Sequence, residues 1–143
     1  MGKGHLQVRI RLDFKGEAQP RFFFGGKNGE KAAEEIREQK ATLLRNVPYQ
    51  GIVIEEIDLS PEVYQVYDVS MDEQVFYAPL IITLWAASVE DLIRFIIKQE
   101  FRKIEILQPD EITLSGQSLE KLLFKIAEEI KLDRLALEVR HRR

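Results

Sequence analysis

From His5 to Phe14 apolar and polar residues alternate. Leu6, Val8, Ile10, Leu12 and Phe14 point one way, and Gln7, Arg9, Arg11 and Asp13 the other. That period of two predicts a strand with one buried face and one basic, exposed face. The next stretch, from Lys15 to about Gly29, carries four glycines, a proline and three consecutive phenylalanines, and predicts a loop with a short strand around Phe22–Phe24. From Glu30 to about Val47 the set Ala33, Ile36, Leu43, Leu44 and Val47 fits a helix, with Glu30, Glu34 and Glu35 favourably placed against its N-terminal dipole. Pro48 and Gly51 stop it.

Three strands are expected at 52–58, 63–69 and 74–86, parted by Ser60–Pro61 and Met71–Asp72–Glu73, spacings short enough for antiparallel neighbours. Pro79 has no N–H to give a ladder and should mark a bulge or break in the third. Ser88 reads as an N-cap with Asp91 three residues on. The helix it opens, to about Gln99, is apolar on most sides through Leu92, Ile93, Phe95, Ile96 and Ile97, so it needs cover beyond a single sheet. A short strand at 103–107 ends before Pro109, and Glu111–Leu114 is either another short strand or an extended connection. Ser118 opens a last helix striped by Leu119, Leu122, Leu123, Ile126, Ala127 and Ile130, a face expected to pack. The tail after Asp133 either prolongs that helix or frays.

The order strand, helix, strands, long strand, helix, strand, helix predicts an α+β fold. Its expected form is a ferredoxin-like split β-α-β sandwich with an extra strand and a C-terminal helix, in one domain over 1–143. The length suits a single domain, and 45% apolar residues can build a core under a surface in which 31% of all residues are charged. Disorder is excluded by that balance. No apolar run nears the roughly 20 residues of a membrane span and no signal peptide is evident, so a cytoplasmic protein without membrane attachment is expected.

Chemistry is sparse. There is no cysteine, and the two histidines, His5 and His141, sit near opposite ends, which removes thiol catalysis, cysteine-ligated metal and most histidine-based catalysis. No cofactor or metal is implied. Glu55 with Glu56, and Asp72 with Glu73, are adjacent and so would face opposite sides of a strand, a poor start for paired carboxylate catalysis. Charge is partitioned: residues 1–50 carry ten Lys/Arg against six Asp/Glu, residues 51–90 carry eight acids and no base, and residues 91–143 carry eleven bases and ten acids.

Two binding readings follow. Gly25, Gly26, Lys27, Asn28, Gly29 and Lys31 stand before a helix, where backbone amides and lysines can take a small anion, although the spacing is not that of a P-loop. Arg9, Arg11, Lys15 and Arg21 with Phe22 and its neighbours place cations beside aromatics, as single-stranded nucleic-acid binders do. No RNP-type consensus is present, and a pI near 5.5 disfavours a polyanion partner. Tyr49, Tyr64, Tyr67, Tyr77 and Trp85 are candidates to wall a pocket or to pack the sheet.

The segment from Leu80 to Ile112 resembles the C-terminal extension of bacterial WYL-domain transcriptional regulators. An apolar strand with Leu84 leads to a helix carrying Leu92, Arg94, Phe95 and Ile96, and then to a strand with Ile104, Glu105, Ile106 and Leu107 that closes on Pro109 and Glu111. Val8–Phe14 resembles the first strand of the same extension. About a quarter of the chain carries the likeness. It implies a ferredoxin-like regulatory module used for oligomer contacts or ligand sensing, and it transfers no catalytic residue. The resulting expectation is a non-catalytic regulatory or assembly module, homodimeric through the apolar helix at 89–99, with the basic N-terminal strand meeting the acidic 51–90 segment across the interface. The alternative is a nucleic-acid-binding module built on strand 8–15 and Phe22–Phe24.

Overall fold

The computed structural model describes residues 5–16 and 25–141. The elements run β1 (Leu6–Lys15), α1 (Gly25–Asn46), β2 (Ile52–Asp58), β3 (Tyr64–Asp68), β4 (Glu73–Ala86), α2 (Val89–Ile97), β5 (Phe101–Gln108) and α3 (Gly116–His141). The fold is α+β, with one five-stranded antiparallel sheet of order β2-β4-β1-β5, in which β3 also pairs with β4. β1 and β2 flank β4, and β4 and β5 flank β1, so each helical connection passes over one intervening strand.

The alternation in β1 is realised. Leu6, Val8, Ile10, Leu12 and Phe14 are buried, opposite Leu80, Ile82, Leu84 and Ala86 of β4, and this face is covered by Ala41 and Leu44 of α1 and by Leu92 and Phe95 of α2. Tyr49 meets the Phe95 ring edge-on at 5.1 Å. Ser88 caps α2, its hydroxyl accepting from the Asp91 N–H at 3.1 Å.

Pro79 does not break its own strand, because β4 is continuous through it and pairs there with Asp13. The break falls in the neighbouring row. β2 pairs with β4 only as far as Ile81 and β3 pairs with it only from Tyr77, so among the described residues no strand pairs with residues 78–80 on that side, where a proline has no N–H to offer. The extra strand β3 therefore prolongs the row of β2 instead of widening the sheet. The guanidinium of Arg37 on α1, itself buried, fills the gap by donating to the Pro61 carbonyl at 2.7 Å and the Pro79 carbonyl at 3.0 Å.

Other bounds differ from expectation. α1 begins at Gly25, so the segment read as a loop before a helix is its first turns. Tertiary contact outweighs the poor helix propensity of glycine here. A Cβ on Gly29 would lie 2.6 Å from the Phe76 ring, and one on Gly16 would lie 2.7 Å from the Gly29 carbonyl, so these glycines let the helix sit flush on the sheet end. Residues 111–114 are an extended connection, and the tail after Asp133 continues α3. The register of β2 slips between Ile54 and Glu56, which breaks the alternation on which the reading of Glu55 and Glu56 rested.

The apolar helix α2 obtains its second cover from α3. α3 in turn is left largely bare. Leu122 and Glu129 are buried, and Lys125, paired to Glu129 at 3.3 Å, is half-buried beside them. Leu119, Leu123 and Ile130, which the stripe was expected to bury, are exposed, as are Phe124, Leu132, Leu135, Leu137 and Val139.

Candidate functional site

Both helices that touch the sheet lie on the face of Leu6, Val8 and Ile10, so the opposite face carries the polar residues of β1 beside the odd-numbered residues of β4. At one end of that open face, Gln7 and the Trp85 indole N–H both donate to Glu55, at 2.8 and 3.0 Å. In the middle, Arg9 pairs with Glu105 of β5 at 3.0 Å.

The other end is centred on Asp13, whose side chain is 1% exposed. Arg11 grips this carboxylate side-on, its Nε at 2.8 Å from one oxygen and Nη2 at 3.2 Å from the other. The Tyr64 hydroxyl from β3 donates to it, and Arg102 from the irregular start of β5 stands at 3.4 Å. Tyr64 stacks on Tyr77 of β4 with ring centroids 5.4 Å apart, and the Arg11 guanidinium lies over the Tyr64 ring at 5.8 Å. Three strands thus converge on one carboxylate. The hydrogen bond to Asp13 raises the Arg11 pKa above its ordinary value, and burial together with the bond to Asp13 raises that of the Tyr64 phenol. The cluster thus brings two guanidiniums, one carboxyl group and a phenol together on the open face.

The sequence candidates are scattered by the fold. Arg9 and Arg11 lie on the open face, but Arg9 is paired to Glu105 and Arg11 to Asp13 of its own strand, so neither draws on the acidic 51–90 segment. Lys15 ends β1 and is exposed; Arg21 and Phe22 lie outside the described residues. Gly25, Gly26, Lys27 and Asn28 open α1, Gly29 is spent on Phe76, and Lys31 is exposed one turn further on. The aromatics do not share a pocket. Tyr49 belongs to the helix side, Tyr64, Tyr77 and Trp85 to the open face, and exposed Tyr67 donates to Asp72 at the β3–β4 turn. A groove of about 640 Å³ runs between the end of α1 and β2, with Leu44, Tyr49, Ile52 and Ile54 below and Arg45, Glu55 and Glu56 at its rim.

No family model, curated protein or solved structure matches the chain. Function is accordingly argued from the geometry. Among the described residues, no three His, Asp or Glu side chains gather as a metal site, and no helix is long and apolar enough to cross a membrane. The chemistry on offer is a buried carboxylate with Arg11 hydrogen-bonded to it and the exposed Arg102 within ion-pair distance, on an open sheet, and a long helix whose apolar side chains face outward. Sequence reasoning found Arg11 and named Tyr64 as a candidate to wall a pocket or pack the sheet, but did not join the two, and it missed Asp13 and Arg102. The only available signal was a carboxylate two residues beyond an arginine on the polar face of β1.

Proposed function

We propose that the protein is a non-catalytic assembly module of ferredoxin-like architecture that pairs with a second copy of itself through α3. The strand order and the two connections that each straddle one strand support that architecture, and the resemblance to the C-terminal extension of WYL-domain regulators fits a role in oligomer contacts. The observation that carries the reading is the surface of α3. At 1.5 Å per residue α3 is about 39 Å long and α2 about 14 Å, so much of α3 overhangs the helix it rests on.

Leu119, Leu123, Ile130 and Leu137 lie along one side of it, and Phe124, Leu132, Leu135 and Val139 along another, all exposed. A helix apolar on opposite sides calls for cover on both. Each side presents a row of four large apolar side chains to solvent, and contiguous exposed apolar rows of this kind mark interaction surfaces.

The charges favour a second copy as the cover. Glu120 and Arg134 stand symmetrically about Ala127, on the side of Leu123 and Ile130. Two α3 helices crossing antiparallel near Ala127 would set Glu120 of each against Arg134 of the other, with the small alanine at closest approach. The overhang of each copy would then lie along the partner's α3. Twofold pairing of this kind is the commonest assembly of soluble chains.

Sedimentation velocity across a hundredfold dilution tests this. A concentration-dependent shift from about twice the 16.7 kDa chain mass toward that mass is expected. Leu123→Glu should hold the protein at the lower mass. Glu120→Arg should weaken pairing several-fold and Glu120→Arg with Arg134→Glu should restore it. A constant mass of one chain at every concentration, or charge variants that behave alike, would overturn the reading.

A further inference from the structure

The cluster around Asp13 is not accounted for by stability. A buried carboxylate costs several kcal/mol in desolvation, and ion pairs to half-exposed arginines return little of it. A β-branched apolar residue would fill the place opposite Pro79 at lower cost. Yet three strands spend side chains here, and the arginines remain open to solvent, Arg11 at 43% and Arg102 at 63%.

We infer that Asp13 is a positioning residue for a phosphate-binding site formed by Arg11 and Arg102 on the open sheet face. Arg11 uses Nε and Nη2 on Asp13, and Arg102 comes within ion-pair distance of it only by Nε, so the Nη1 of Arg11 and both Nη groups of Arg102 keep donors for a ligand. Because one carboxylate attracts both guanidiniums, it keeps them close together despite their mutual repulsion, and the entropy of ordering Arg11 is lost on folding and not on binding. One carboxylate against two arginines leaves a net positive charge. Lys103, opposite Arg11 in the β1–β5 register and exposed, adds to it. Among the described residues, neither arginine of the cluster is ion-paired to any acid but Asp13. Guanidinium forks with surplus charge suit a phosphate dianion borne by a small molecule better than a single carboxylate.

Calorimetric titration of the full chain with pyrophosphate and with inorganic phosphate, at constant ionic strength and with acetate as the monoanion control, tests the assignment. Saturable phosphate binding is expected, with Arg102→Ala at least tenfold weaker and Arg102→Lys in between. Arg9→Ala, on the same face but paired to Glu105, should bind as the parent does. Because Arg102 is well exposed, its variants should keep the parent's melting curve, which separates lost binding from lost fold. The site lies within one chain, so Leu123→Glu should bind pyrophosphate unchanged, and failure here is distinguishable from failure of α3 pairing. Absence of saturable binding, or equal losses in Arg102→Ala and Arg9→Ala, would overturn the inference. Tighter binding of single-stranded oligonucleotides with affinity climbing with length would overturn it in favour of a strand-binding surface.

Discussion

Leu122 and Leu123 are neighbours on α3 with opposite surroundings, 9% and 58% exposed, and truncating each in turn isolates how the helix is seated. In Leu122→Ala the lost side chain leaves a void at the α2–α3 seam. Burying a leucine contributes about 1.5–3 kcal/mol, and removing one from a fully enclosed core costs about 2.7–5. The seam is bordered by solvent and can partly close, so about 2 kcal/mol is expected, a drop of about 4–8 °C in Tm for a chain of this size. Leu123→Ala removes the same atoms from a site facing water and should cost less than about 0.5 kcal/mol in the dilute single chain. Urea unfolding followed by circular dichroism at micromolar and at near-millimolar protein resolves the two. The Leu122→Ala deficit should persist at both concentrations. The Leu123→Ala deficit should appear only where copies pair, since association stabilises the folded chain by mass action. Equal losses for the two variants at the lower concentration would show that α3 docks on α2 through the Leu119–Leu123–Ile130 side, and the seating described above would be wrong.

Gly51→Ala should cost more than about 2 kcal/mol, because Gly51 has φ +73°, which L residues rarely adopt, and an added Cβ would overlap the Asp91 carboxylate; a urea midpoint unchanged from the parent would refute this. Stability should decline as pH rises above about 10. The unfolded chain then releases the Tyr64 proton that the folded chain retains, so the unfolded state binds fewer protons and loses free energy relative to the folded one. Tyr64→Phe should flatten part of that slope in urea midpoints measured from about pH 9 to 11, and an identical slope in parent and variant would rule the linkage out.

Local rules made much of the fold legible. The alternation of Leu6 to Phe14 identified a buried strand face, and Ser88 with Asp91 identified the start of α2, because periodicity and capping are properties of neighbouring residues. The site was not legible for the complementary reason. Asp13 sits at an ordinary polar position of β1, and what makes it unusual is Tyr64 and Arg102, which reach it from β3 and β5 only once the strands are ordered. The first turns of α1 were misread because Gly25–Gly29 have poor helix propensity, while the Phe76 ring that accepts a glycine at 29 lies on β4. The stripe of α3 was visible, but not which part of it faces α2. Leu122 and Glu129 make one side of the helix and Leu123 and Ile130 the next, and both sides are apolar enough to be docked.

The interrupted row beside Pro79 divides the molecule's cooperativity. From Ile81 to Ala86, β4 has strands on both edges and helices above it. From Glu73 to Tyr77 it pairs with β3 but has β1 beside it only at the last residue, and the carbonyls of Pro61 and Pro79 on either side of the gap are bridged by Arg37. The β3–β4 ribbon is thus tied to the rest of the molecule by little more than Tyr77, the Gly16 N–H donating to the Phe76 carbonyl at 2.9 Å and Phe76 against Gly29, and its opening is expected at a free energy below that of global unfolding. Tyr64 rides on that ribbon, so each opening takes the phenol away from Asp13 and frees the carboxylate to hold its two arginines differently. Whatever binds the open face against an intact cluster therefore also tightens the ribbon, and the protection of its amides becomes a readout of occupancy some distance from the ligand.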